Sequence, residues 1–196
     1  MKLYDISQEL FSCKIYPGDP APQKQTLAST EGGDLYNLTA FSMCAHNGTH
    51  IDAPYHFLQD GKTVDALPLS KTVGHAYVAF HNGALSAADA TQIMNQAKQC
   101  GVEYAKRILI GGEVTVTADA ARVFADAKID LLGNESQTVG PEDAPMEVHK
   151  LLLSAETVLL EGIRLSHVPL GACFLCAAPL SLEGADGAPC RAIIIR

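Results

Sequence analysis

The chain has 196 residues, 47% of them hydrophobic and 18% charged, with a formal net charge of −8. That length suits one domain, residues 1–196, with a substantial core. An acidic chain without a basic run is a poor binder of nucleic acid or anionic membranes, no apolar stretch is long enough to cross a bilayer, and Met1-Lys2-Leu3-Tyr4-Asp5 holds no signal core, so the expected partner is a small molecule and the expected compartment the cytoplasm.

Residues 3–10 read as a short strand and its exit. Tyr16-Pro-Gly-Asp-Pro-Ala-Pro22 cannot hold regular structure and reads either as a plain connector or as a loop that puts Tyr16 over a pocket. Residues 35–45 are rich in strand formers and read as a strand running into the segment that follows. Gln59-Asp-Gly-Lys62 is a turn, and 72–80 is another strand candidate. Ser86-Ala-Ala-Asp89 opens a helix as a capping-box variant, and Gly101 ends it. A β-type run from Arg107 to Ile110 precedes Gly111-Gly112, which lacks phosphate-loop spacing.

Thr117 caps a second helix over 118–127. Ile129 to Leu132 is a buried strand candidate, and the polar turn Gly133-Asn-Glu-Ser-Gln-Thr138 after it is a sensible place for pocket residues. A third helix over 146–154 carries His149. The apolar run Val158-Leu-Leu160 is closed by Glu161, and a buried carboxylate there demands pairing or a metal. Residues 172–180 and 190–196 read as late strands joined by a hairpin-like loop at 184–189. Helices and strands interleave without a strict repeat, so the expected class is α/β or α+β with a mixed sheet.

The chemistry concentrates in His46-Asn-Gly-Thr-His-Ile-Asp-Ala-Pro-Tyr-His-Phe57, which holds three of the seven histidines and an aspartate. His46, His50, Asp52 and His56 all fall on even positions, so in an extended segment they share one face. Gly48 and Pro54 argue against a long helix. Imidazole and carboxylate are ligands that Zn²⁺ and Mn²⁺ favour, and a catalytic site leaves a coordination position open. Asn47-Gly-Thr49 also fits a glycosylation sequon, a reading set aside because nothing else resembles a secreted chain.

Other nucleophiles are poorly supported. The six cysteines read as reduced thiols. Cys173 and Cys176 would face opposite sides of a strand, and Cys44 reads as a buried structural thiol. No G-x-S-x-G elbow supports a serine hydrolase. His75, His81 and His167 read as surface or hydrogen-bonded histidines.

The twelve-residue segment fits H-x-G-T-H-x-D-x-P-x-H-F without a mismatch and so resembles the cyclase-like metal-dependent hydrolases, which include bacterial kynurenine formamidases and isatin hydrolases. Tyr16-Pro-Gly-Asp19 looks like that family's early loop, His149 and Glu161 like its second pair of metal ligands, and Pro179-Leu180 with Asp186-Gly-Ala-Pro-Cys-Arg-Ala192 like its C-terminal signature. The resemblance implies a swivelling β/α/β fold with a curled, barrel-like sheet. It implies that His46, His50 and Asp52 bind one divalent ion, that Asp52 and Glu161 bridge to a second completed by His149, that His56 is the proton donor and acceptor, and that Tyr16 lies against the substrate ring. It further implies a homodimer or homotetramer. Two departures lie near the substrate: Tyr16 stands where bacterial kynurenine formamidases usually have Trp, and the turn from Gly133 to Thr138 departs from Gly-x-Asp-x-x-Ser.

The implied reaction is hydrolysis of the C–N bond of a small aryl amide, foremost N-formylkynurenine, with isatin-like cyclic amides as the alternative. A divalent metal polarises the carbonyl and makes water acidic near neutral pH, and imidazole is well typed to carry a proton to the leaving amine. A reading of another class is a metal-loaded small-molecule binding protein without turnover, which would have no use for His56. A purely structural zinc site fits poorly, because Asp52 and Glu161 make the ligand set oxygen-rich.

Overall fold

A computed structural model describes residues 1–196. Its elements are β1 (Leu3–Asp5), β2 (Gln23–Ala28), β3 (Leu38–Ser42), β4 (His50–Asp52), β5 (Val73–Phe80), β6 (Gly83–Leu85), α1 (Ala87–Cys100), β7 (Arg107–Gly111), β8 (Val114–Val116), α2 (Ala118–Asp126), β9 (Leu131–Asn134), α3 (Met146–Ser154), β10 (Val158–Glu161), β11 (Gly171–Cys176), β12 (Gly187–Pro189) and β13 (Ile193–Ile195). Nine strands form one mixed sheet in the order β1-β13-β11-β5-β7-β9-β10-β4-β12, strongly curled into a half-barrel. Strands β5, β7, β9 and β10 are mutually parallel, and antiparallel strands extend both flanks. This is the mixed α/β architecture with a curled sheet that the sequence led us to expect. No helix is long and apolar enough to cross a membrane.

Alternation along the strands divides the core in two. Leu109, Leu131, Leu160, Leu175 and Ile194 fill one side with Ile51 and Ala188. Ile108, Ile110, Leu132 and Leu159 point the other way and meet Ile93, Met94, Phe124 and Leu152 of the helices. The helices begin as their sequences dictate. Ser86 and Asp89 form a reciprocal capping box on α1, and the Thr117 hydroxyl accepts from the Ala120 N–H to cap α2.

Four expectations need correction. The strand within 35–45 is only Leu38–Ser42. It pairs with an unforeseen β2 in a separate hairpin, and a turn separates it from the histidine segment. The hairpin was hidden because both of its strands are largely exposed, so Gln23–Ala28 carries no buried apolar face to announce it. The strand foreseen at Ile129 starts at Leu131 and runs through Gly133 into Asn134. Of the late strands expected over 172–180 and 190–196, residues 177–180 and 190–192 lie outside regular strands, apart from an isolated bridge between Pro179 and Cys190. The supposed loop at 184–189 contains β12, which closes the sheet edge beside β4.

Candidate active site

The site forms where β4, β10 and the N-terminal half of α3 meet. Ile51 and Leu160 are opposed across an antiparallel pair and both enter the core away from the helices, which turns the flanking residues to the other side. Asp52 lies opposite Leu159 and His50 opposite Glu161, so strand register alone puts His50, Asp52 and Glu161 on one face. Helix α3 covers that face and delivers His149. All four side chains are at most 3% exposed.

Even-position alternation holds only for His50 and Asp52, which lie on a strand. His46 stands in the preceding turn and His56 in a 3₁₀ turn begun by Pro54, so tertiary packing, not an extended chain, brings them in. A polar knot holds the His46 turn. The Thr49 hydroxyl donates to Gly162 O at 2.8 Å, Gln137 Nε2 donates to Gly48 O at 3.1 Å, and Gln8 Nε2 donates to Gln137 Oε1 at 2.7 Å. Gly187 makes the room: a Cβ there would lie 2.7 Å from both His46 Cε1 and Ile51 O.

The imidazoles are aimed by backbone acceptors. His50 Nδ1 pairs with Gly48 O at 3.1 Å and His149 Nδ1 with Pro145 O at 2.8 Å, leaving each Nε2 for the carboxylates. His50 Nε2 is 3.3 Å from Asp52 Oδ1 and 3.5 Å from Glu161 Oε2, while His149 Nε2 is 3.2 Å from Glu161 Oε1 and 3.6 Å from Asp52 Oδ2. Asp52 Oδ2 is buried and makes no hydrogen bond. All four separations exceed ordinary charge-assisted hydrogen bonds, so the donor atoms converge without pairing tightly with one another. Three ligand-type groups result: His46-His50-Asp52 and Asp52-His149-Glu161, which share Asp52 and are largely buried, and the more exposed His46-His56-Asp186. The oxygen-rich, partly orphaned donor set of the first two fits a divalent ion.

Charge follows the geometry. Burial opposes protonation of His46, yet its hydrogen bonds to Asp186 and Asp52 prevail and hold its pKa at about 11. His50 rises to about 9 against the same burial, through Asp52 and Glu161. His149 is raised as well, with Glu161 overcoming desolvation. Burial would lift Asp52, but hydrogen bonds from His46 and His50 hold it well below the usual carboxylate range. The raised values of His46 and His50 oppose the charge of the buried carboxylates beside them.

The cluster opens into a cavity of about 370 Å³ lined by His56, Phe57, Thr138 and Tyr16. Tyr16 heads a turn in which Asp19 N–H donates to Tyr16 O at 3.1 Å and Gly18 takes φ +98°, the arrangement of a type II turn. Its hydroxyl donates to Glu142 O at 3.0 Å, which fixes the ring at the cavity wall.

Asp186 was missed as a site residue. Its Oδ2 lies 2.9 Å from His46 Nε2 and 3.0 Å from His56 Nδ1. The signal available was its place in the C-terminal signature, but the surrounding Gly and Pro read as a loop. Cys44 also differs from expectation: it is half-buried and lines the cavity. In the turn after β9, Gln137 and Thr138 do reach the cavity, whereas the Glu135 carboxylate accepts the Gly112 and Leu165 N–H groups and is structural. Cys173 is buried and donates to Ala76 O, while Cys176 leaves the strand on the other face, as its spacing requires. His75 is exposed, and His81 and His167 pair with backbone carbonyls.

The Cyclase family profile matches residues 4–141. A kynurenine formamidase of Salinibacter ruber is 32% identical over 99% of this chain and 97% of its own. The chain belongs to the Cyclase family. A kynurenine formamidase of Bacillus anthracis is 31% identical over 98% of this chain and 97% of its own. A solved structure described as a potential metal-dependent hydrolase with cyclase activity superposes with a TM-score of 0.83 at 28% identity, covering 98% of this chain and 96% of that one. An isatin hydrolase bound to the product analogue thioisatinate superposes with a TM-score of 0.85, covering 98% of this chain and 91% of that one; at 18% identity it is a relative in fold. Within the Cyclase family profile's span lie the whole histidine segment and Tyr16, whereas His149, Glu161 and Asp186 fall beyond it.

Proposed function

We propose that the protein is a metal-dependent arylformamidase that hydrolyses N-formylkynurenine to kynurenine and formate. The observation that carries this reading is the pair of ligand groups sharing Asp52 at the floor of a cavity with His56 on its wall. Full-length relatives named kynurenine formamidase support the substrate. His46, His50 and Asp52 would hold one ion, and Asp52, Glu161 and His149 a second, Zn²⁺ or Mn²⁺ in each case. When bound, the metal supplies Lewis acidity toward the formyl carbonyl and acidifies water.

The chain's own residues do the rest. His56 takes a proton from the water that adds to the formyl carbon and delivers it to the aryl nitrogen as the C–N bond breaks, so a neutral amine and formic acid leave, the acid then releasing its remaining proton to solvent as formate. Tyr16 packs against the aryl ring and orients it. Glu161 is itself held by the Val139 N–H at 2.8 Å, which keeps it from swinging into the cavity. A homodimer or homotetramer in the cytoplasm completes the reading. In support of assembly, hairpin β2–β3 leaves Leu27, Leu38 and Phe41 exposed, and a two-stranded ribbon is marginal alone.

The test is turnover of N-formylkynurenine by purified protein after chelation and after return of Zn²⁺ or Mn²⁺. Activity restored by metal to kcat/KM above about 10⁴ M⁻¹s⁻¹ supports the reading. Restored metal with no turnover discards the formamidase assignment and moves the search to isatin-like cyclic amides, the reading that the isatin hydrolase fold keeps second.

A further inference from the structure

We infer that Asp186 is the positioning residue that sets the orientation and tautomer of His56. The inference rests on the hydrolase reading, in which His56 carries the proton, and adds a residue that reading does not assign. Three observations support it.

The first is that Asp186 is placed by backbone, independently of the histidines. Its carbonyl accepts the Ala53 N–H at 2.9 Å, one residue past β4. Just before it, Ala185 O accepts the Val64 N–H at 2.9 Å and the Gly184 N–H donates to Asp65 Oδ1 at 3.1 Å. Just after it, Gly187 lies opposite Asp52 in the β4–β12 ladder. The carboxylate therefore projects from a fixed point at the cavity wall.

The second is which nitrogen it engages. Asp186 Oδ2 meets His56 Nδ1 at 3.0 Å. An ionised carboxylate can only accept, so Nδ1 carries the hydrogen and Nε2 is left as the nitrogen that can take and return a proton. A lone imidazole on a 3₁₀ turn, 28% exposed, would otherwise sample both tautomers and several rotamers.

The third is the stacking partner. The His56 ring lies on the His46 ring with centroids 4.1 Å apart and planes at 29°. His46 Nε2 shares Asp186 Oδ2 at 2.9 Å, so one oxygen ties together the edges of both stacked rings. Asp186 thereby couples the group that moves the proton to the edge of the ligand cluster. Gly187 is what allows the approach, since a side chain there would strike His46.

The test is Asp186→Asn, with Asp186→Ala and Asp186→Glu beside it, in the metal-loaded protein. The amide can turn its NH₂ toward Nδ1 and select the reversed tautomer. Imidazole nitrogen NMR of histidine-labelled protein, assigned with His56→Gln, should show His56 moving from the Nδ1–H form in the parent to the Nε2–H form or an average in Asp186→Asn. In parallel, kcat for N-formylkynurenine should fall about 10²-fold with KM changed less than about threefold, and Asp186→Glu should recover part of it. An unchanged tautomer with unchanged kcat overturns the inference. Loss of bound metal from Asp186→Asn overturns it too, by making Asp186 a ligand. If the parent itself fails to turn over, the formamidase reading falls, and the tautomer measurement still decides the role of Asp186.

Discussion

The inner and outer halves of the site are built in different ways. His50, Asp52, His149 and Glu161 are at most 3% exposed, and each stands on a strand or helix. His46, His56, Asp186 and Tyr16 stand on turns and loops, with side-chain exposure reaching 42% at Asp186. The inner half is fixed by sheet register and needs no contact from the cavity to stay in place. The outer half is fixed by its own hydrogen bonds, to Asp186, to Glu142 and through the polar knot around Gly162. In the proposed reading the rigid half would supply every ion ligand except His46, and the adjustable half would supply His56 for proton transfer and Tyr16 for substrate contact.

Breaking the inner half should have the largest effect. Asp52→Ala removes the residue shared by both ligand groups. Metal analysis should find neither ion retained, and denaturant unfolding should show a loss of about 3–5 kcal/mol, the usual result of stripping one partner from a buried charge cluster. Retention of both ions would remove Asp52 from the shared position. Breaking the outer half at His56 should spare the metal: His56→Ala should lower kcat by about 10²–10⁴-fold at unchanged metal content. If the metal disappeared with it, His56 would belong with the ligands.

A change of pH should separate the halves without mutation. With folded pKa values of about 11 for His46 and about 9 for His50, both imidazoles are charged at neutral pH in the metal-free protein. Their contribution to its stability is full below the ordinary imidazole pKa of about 6.5 and is lost as pH rises through the two raised values. The Asp52 carboxylate, held low, gives stability that is lost only in acid. Metal must displace the imidazole protons, so calorimetry in buffers of different ionisation enthalpy should record proton release, with affinity rising about tenfold per pH unit for each proton displaced. Proton-free binding at neutral pH would contradict the charged cluster. The smallest effect should come from Tyr16→Ala, which should raise KM for aryl substrates about tenfold while metal content stays constant. Unchanged kinetics would take Tyr16 out of the cavity.

The same division explains what could be read in advance. Helices α1 and α2 were legible to within a residue or two, because Ser86, Asp89, Gly101 and Thr117 are local signals acting on their own neighbours. His50, Asp52 and Glu161 were legible too, since a histidine motif of fixed spacing and a carboxylate closing an apolar strand both carry chemistry unusual for a buried position; His149 was marked only by the family resemblance. Hairpin β2–β3 was not, since its exposed strands lack a periodic apolar face. Nor was Asp186, since Gly184, Gly187 and Pro189 describe a loop equally well whether or not it lines a site.

The amino-acid sequence by itself determined the mixed α/β class, the three helices, the segments that became β5, β7, β9 and β10, and the kinds of side chain available for an ion. Those properties follow from periodicity, capping and the chemistry of individual residues, all of which act over a few positions. Tertiary structure alone decided that β12 seals the edge beside β4, that Gly187 lets His46 lie over Asp52, and that Asp186 crosses 130 positions to meet His56. Contacts of that range depend on strand register and on space left by an absent side chain, and neither is written in the local pattern that surrounds them.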